Sequence, residues 1–416
     1  MNALFLCLAL FQAVPPPPVV VGPRSVQVSG VRIEDANKHA GKVVSLDISG
    51  LKAINLSGVT KPRAIVIEGD GLEVQTVSFS PKTCRTTIYD LTITNLPGSK
   101  AAVRCESQPP PEEWSSPLPN GDSPEWRSFI DCWFGRGVGY WNVADVEGVP
   151  GLSGGKVAAK WWVAPKAPGK WHFGGCFFEA SQEHAAYLHW AHAAYFNDCI
   201  FGADGGCAIQ ATWRYGRQGF GETDPLYYGN SGLSPPAAGD FVVTRCEFRD
   251  AEIWSREASA VTVVGWPHGG IWVTRSKFSG SRGAIAIWSD TEKGAYSRDA
   301  RGTYVFISEM WDGLPVLVKP DGTPETHWEG APLGWPFASV VLTDLEVMAG
   351  SNHDREQIMV SGARKALYRD IVVHSPKPQL VIGARWGGPW DDGKWRTRGV
   401  CPPPKTWNGS KYVLIE

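Results

Sequence analysis

The chain has 416 residues, with 40 Lys and Arg against 42 Asp and Glu and a formal net charge of -2. That balance leaves no electrostatic footprint for nucleic acid or an anionic membrane surface, and no nucleic-acid partner is expected. Gly (47) and Pro (32) are frequent, helical stretches are scarce, and β-branched and aromatic residues fill the apolar runs, so the composition predicts an all-β chain of short strands.

In chain order, Leu4 to Ala13 form an apolar run followed by Val14 and the prolines Pro15 to Pro18. The run is too short to span a bilayer and matches the apolar region of a signal peptide. No Lys or Arg precedes it, and the bulky Phe11 sits near the would-be cleavage site, so an uncleaved N-terminal arm is the competing reading. Residues 1–30 are therefore read as leader and Pro-rich linker, 31–375 as the folded body and 376–416 as a Pro- and Trp-rich C-terminal cap. Secretion follows from the leader, and no other segment is apolar enough to cross a membrane. Cys7 would leave with a leader. The other eight cysteines show no CxxC pair and no zinc-like Cys/His spacing, so no metal or cofactor is expected. Cys84 and Cys105 flank one strand–loop unit and are read either as a pair or as two unrelated thiols.

A loose four-residue signature recurs: polar, small or apolar, any, then aromatic or aliphatic. Its copies are Asp90–Ile93, Asp131–Phe134, Gly175–Phe178, Asp198–Phe201, Arg245–Phe248, Arg275–Phe278, Asp344–Val347 and Asp370–Val373, with a degraded copy at Ser308–Trp311. A repeated short unit marks a solenoid. Period-2 alternation points the second and fourth residues inward, at about 4.8 Å per rung. Cys132, Cys176, Cys199, Cys246 and Ser276 then form one internal column. Phe134, Phe178, Phe201, Phe248 and Phe278 form another. A second strand follows most copies, at 185–188, 207–211, 260–264, 283–287, 315–318 and 357–360. Residues 31–80 supply the first, capping coils. Three insertions, 96–127, 135–171 and 214–239, carry many aromatics. A β-sandwich is the structural alternative, since it too uses regular short strands.

The stacked small/Cys and Phe columns resemble the pectin-lyase-like superfamily of right-handed parallel β-helix proteins. The resemblance is one of architecture over roughly residues 40–375. It implies a right-handed single-stranded parallel β-helix with long aromatic-rich loops, in a superfamily that includes polysaccharide lyases, glycoside hydrolases, epimerases, viral tail spikes and non-enzymatic surface proteins. Neither the paired aspartates of polygalacturonases nor a pectate-lyase calcium cluster is present.

An aromatic follows the second strand of successive coils, at Trp190, Trp213, Trp266 and Trp288. In register they would line one edge, either as a platform for sugar rings or as a ladder packed beneath loops. The same strand ends supply His189, Arg214, His268, Asp290 and Lys319. Elimination from a uronic acid needs a base, for which His189 or Lys319 would serve, and a cation, for which Arg214 would serve. Glycoside hydrolysis needs two carboxyls, for which Asp290 has Glu292 and Asp204 as candidate partners. Each of these residues also reads as a solvated strand-end side chain. The expectation is a secreted protein that binds or cleaves a polysaccharide. The alternative is a non-catalytic structural or receptor-binding protein, such as a viral tail spike or surface fibre on the virion, which would go with a homotrimer.

Overall fold

A computed structural model describes residues 17–29, 32–94, 101–105, 125–135, 161–163, 169–179, 184–189, 191, 193–202, 207–212, 240–249, 259–264, 270–281, 283–288, 296–298, 304–306, 309–311, 314–316, 326–327, 331–332, 339–349, 357–361, 366–374, 382–383, 406–407 and 411–414. The described residues are all-β, with one short 3-10 segment among them at Ile33–Lys38. Eighteen parallel strands form the large sheet, and two more, Thr406–Trp407 and Lys411–Leu414, join it antiparallel to complete 20. A second sheet holds 10 strands, all parallel. This is consistent with a parallel β-helix or solenoid.

One repeat explains both sheets. A strand such as Lys170–Gly174 lies in the large sheet, the two-residue strand Phe177–Phe178 follows in the same sheet, and His184–His189 lies in the second sheet. The next repeat, Ala193–Asn197, Ile200–Phe201 and Ile209–Thr212, pairs with it strand for strand. The first residue of the sequence signature sits between the two large-sheet strands, or within the continuous strands Ser339–Ala349 and Ala366–His374, in the left-handed region. Asp90, Asp131, Asp198, Arg245, Arg275, Asp344 and Asp370 have φ between 44° and 57°, and Gly175 has φ 64°. This conformation costs most L-residues about 1–2 kcal/mol, and Asp and Gly tolerate it best. The polar first position is thus a turn requirement. A Cβ on Gly175 would collide with Asp131 Oδ1, so that rung takes glycine.

The second position then points inward. Cys132, Cys176, Cys199, Cys246 and Ser276 are all buried, and the four thiols donate to backbone carbonyls. Burial pushes the Cys132 and Cys199 thiols well above their ordinary pKa. The fourth position forms the expected phenylalanine column. Phe134, Phe178, Phe201, Phe248 and Phe278 stack with centroids 4.5, 4.6, 4.8 and 4.6 Å apart and planes within 6° of parallel. Ile93 precedes this column and Val347 follows it.

An inward column of the long strands holds an exception. Arg127 stands in register between Thr86 and Trp171 and is 0% exposed. Its guanidinium lies 5.6 Å from the Phe79 ring centroid and 5.3 Å from that of Trp171. It donates to the carbonyls of Ser80 (2.8 Å), Pro81 (3.3 Å) and Glu125 (3.2 Å). A buried charge needs such partners. Gly169 makes room for it, because a Cβ there would lie 2.8 Å from Arg127 Nη1.

Several expectations are corrected. Glu309–Trp311 and Leu314–Val316 pair with each other antiparallel, so neither the degraded copy nor the strand expected at 315–318 is a rung. The large sheet passes from Gly270–Thr274 and Lys277–Ser281 to Ser339–Ala349, and among the described residues no strand between Trp288 and Ser339 joins either large sheet. The first two insertions are shorter than expected. Ala101–Cys105 and Trp161–Val163 are second-sheet strands, and Trp171 faces the core. Alternation within Ala101-Ala102-Val103-Arg104-Cys105 carries that signal. Cys84 and Cys105 are both buried and are not joined to each other by a disulfide.

At the N-terminal end, residues 17–22 cross the outer face of the large sheet. Arg85 donates to the Pro17 carbonyl (2.5 Å), the Val19 N–H to Thr87 Oγ1 (3.1 Å) and the Tyr89 hydroxyl to the Val19 carbonyl (3.0 Å). Ile33 and Ala36 of the 3-10 segment pack on the core. No helix among the described residues is long and apolar enough to cross a membrane.

Candidate functional site

Since the second and fourth signature positions are consumed by the core, the first and third remain to meet a partner. The third positions pair in unbroken register: Trp133, Phe177, Ile200, Glu247, Lys277, Glu346 and Val372. They form one outward stripe, apolar at its N-terminal end and charged further on. Trp133 and Phe177 meet edge to face at 5.2 Å, and Trp133 Nε1 donates to Glu179 Oε1 at 2.9 Å. This fixes the indole as a half-buried platform.

The left-handed first positions run beside this stripe as a charged ladder. Arg245 grips Asp198 with two bonds, Nε to Oδ1 at 2.6 Å and Nη2 to Oδ2 at 2.8 Å. The Arg245 guanidinium holds the Asp198 carboxyl below its ordinary pKa. Arg249 does the same for Glu247 through paired bonds of 2.8 and 2.9 Å. Further on, ladder and stripe enclose an open cleft of about 440 Å³ lined by Arg275, Lys277, Asp344, Glu346, Val372 and His374, with Ser276 and Leu345 at its floor. Lys277 Nζ lies 3.2 Å from Glu346 Oε2, both well exposed. Arg275 and Asp344 make no ion pair among the described residues. The cleft therefore offers a guanidinium, an ammonium, two carboxylates and an imidazole on neighbouring rungs. Among the described residues no group of three or more His, Cys, Asp and Glu gathers to hold a metal ion.

The residues singled out by sequence lie at the end of the second-sheet strands. His189 is the last residue of its strand and pairs with Thr212, which pairs with Val264, which pairs with Trp288. Backbone register thus sets Trp288 level with His189. Trp190, Trp213, Arg214, Trp266, His268, Asp290 and Lys319 lie outside the described residues, as do Asp204 and Glu292. The turn-side stripe was missed because its members occupy the signature position written as any residue. Its variable chemistry is the signal of an outward face. No protein-family model, no curated protein and no solved structure matches the chain.

Proposed function

We propose that the chain is a right-handed single-stranded parallel β-helix, exported from the cell, that binds an extended acidic carbohydrate along its turn-side stripe. The in-register run from Trp133 to Val372 carries this reading. Rungs spaced at about 4.8 Å repeat at a pitch close to that of sugar units in an extended glycan. The Trp133 and Phe177 rings present apolar faces and edges to sugar C–H groups, as aromatic platforms do. Three rungs on, Arg275 and Lys277 offer cations to a carboxylate-bearing sugar, and a guanidinium takes a carboxylate with two parallel bonds. Asp344, Glu346 and His374 supply acceptors for hydroxyl groups.

Affinity electrophoresis of the purified protein through gels containing neutral or uronate-bearing polysaccharides tests the reading. Retardation is expected in a uronate-bearing gel, weakened separately by Trp133→Ala and by Arg275→Ala. Equal mobility in all gels, for a protein that remains folded, would remove the carbohydrate reading.

A further inference from the structure

The outward face of the long strands carries a second constellation, independent of the carbohydrate stripe. Ser128, His172 and Tyr195 are consecutive in register and are 4, 5 and 7% exposed. His172 Nε2 lies 2.7 Å from Asn197 Oδ1, and Asn197 Nδ2 lies 3.0 Å from Asp198 Oδ2. Asp198 is in turn held by the two Arg245 bonds. This chain fixes every proton. Paired with Arg245, Asp198 is an ionised carboxylate and only accepts, so the Asn197 amide must donate to it. Asn197 Oδ1 then faces His172, and Nε2 must carry the hydrogen. His172 Nδ1 is left as a bare lone pair, and it is buried with no hydrogen-bond partner. Burial lowers the His172 pKa, which keeps the ring neutral. Gly174 makes the contact fit, since a Cβ there would lie 3.3 Å from His172 Nε2.

Ser128 stands one rung before His172, with Cα atoms about 4.8 Å apart and side chains pointing the same way. Nδ1 is the ring nitrogen nearer the backbone, at the level of a serine side chain on the neighbouring rung. Ser128 makes no side-chain hydrogen bond among the described residues. The Ser128 hydroxyl and the His172 Nδ1 lone pair, not hydrogen-bonded to each other in this structure, thus stand on one face of adjoining rungs, with the ring tautomer set from behind.

We propose that Ser128 and His172 form a nucleophile–base pair for acyl transfer from a small carboxylic ester, with Asn197 and Asp198 as positioning residues. Ser128 Oγ attacks the ester carbonyl carbon while His172 Nδ1 takes the hydroxyl proton. The ester C–O bond breaks, and that proton passes to the departing alkoxide, which leaves as an alcohol. Water then attacks the acyl-serine, giving its proton to Nδ1. The carbon–Oγ bond breaks, the acid departs, and Ser128 recovers its proton. The net reaction is ester plus water to acid plus alcohol. Lys170, two residues before His172 on the same face, and the Tyr195 hydroxyl, kept protonated by burial with its pKa pushed up to about 12, are the candidate donors to the developing oxyanion.

The test is labelling of the full chain with a fluorophosphonate probe, read by peptide mass spectrometry, together with hydrolysis of p-nitrophenyl acetate. Modification at Ser128 is expected, lost in Ser128→Ala and slowed about 100-fold or more in His172→Gln. Nitrogen-15 spectra of histidine-labelled protein are expected to show His172 with hydrogen on Nε2 and a bare Nδ1, a preference lost in Asn197→Ala, whose labelling also slows. No modification of Ser128 in the folded wild type overturns the proposal. So does an unchanged labelling rate in folded His172→Gln. Should that variant not fold, a His172 spectrum with hydrogen on Nδ1 in the wild type overturns it equally.

Discussion

The phenylalanine column permits a quantitative test of the stacked register. Phe248 and Phe278 are neighbours in it and equally buried, but Phe248 has a ring on both sides, Phe201 at 4.8 Å and Phe278 at 4.6 Å. Phe278 has one, because Val347 occupies the next rung. Truncating either to Ala removes a buried ring and leaves a cavity, at a cost of about 3–5 kcal/mol. Each parallel ring contact adds about 0.5–1.5 kcal/mol beyond buried area. Phe248→Ala is therefore expected to cost about 0.5–1.5 kcal/mol more than Phe278→Ala. The double variant should cost less than the sum of the singles by a similar amount, since their shared contact is lost once. Equilibrium urea denaturation of the three variants and the wild type measures all four corners. Equal single costs with strict additivity, within about 0.3–0.5 kcal/mol, would refute the stacking argument. A cost below about 1 kcal/mol for either variant would refute the register itself.

Arg275 holds φ 50° without an ion pair among the described residues, so Arg275→Gly is expected to stabilise the chain by up to about 1 kcal/mol; thermal unfolding would show it. Arg245→Gly, by contrast, should gain less or lose, because it also breaks the two Asp198 bonds. Cys132, Cys176, Cys199 and Cys246 are expected to react with a thiol reagent only after denaturation, as timed labelling with mass detection would reveal. The His172 pKa is lowered by burial, so the unfolded chain takes up a proton more readily than the folded one. Its contribution to stability is therefore present above the unfolded histidine value of about 6.5 and is lost as pH falls through that value toward the lower folded one. Urea midpoints measured across this window should fall on acidification, with a shallower fall in His172→Gln.

The inward half of the repeat was legible because burial imposes period 2 and leaves small and aromatic residues at fixed positions, as Cys176 and Phe178 show. The reason for its polar first residue was not. A left-handed φ leaves no hydrophobic trace, and Asp198 and Arg245 satisfy it with opposite charges. Ser308–Trp311 shows the converse failure, where a four-residue pattern too short to exclude a hairpin matched by accident. Arg127 was passed over because a charged residue in an alternating strand reads as outward. Only the carbonyls of Ser80, Pro81 and Glu125, brought to it by the fold, make its inward place tolerable. The His172 chain was equally hidden, since Ser128, His172 and Asn197 come from three separate rungs.

The antiparallel strand Lys411–Leu414 pairs with Ile371–His374, and Thr406–Trp407 folds back on it. Parallel rungs repeat one evenly spaced, slanted hydrogen-bond pattern, which a further identical rung could continue without limit. An antiparallel strand replaces that pattern with alternating close and wide pairs. A copy of the molecule offering its own parallel first strand would meet a lattice of the wrong spacing. The reversal thus works as a stop against fibre growth from this edge, in the way edge strands are commonly blunted. It also separates length from termination: whole repeats could be duplicated or deleted between residues 170 and 288, lengthening or shortening the molecule while the end that forbids polymerisation stays as it is.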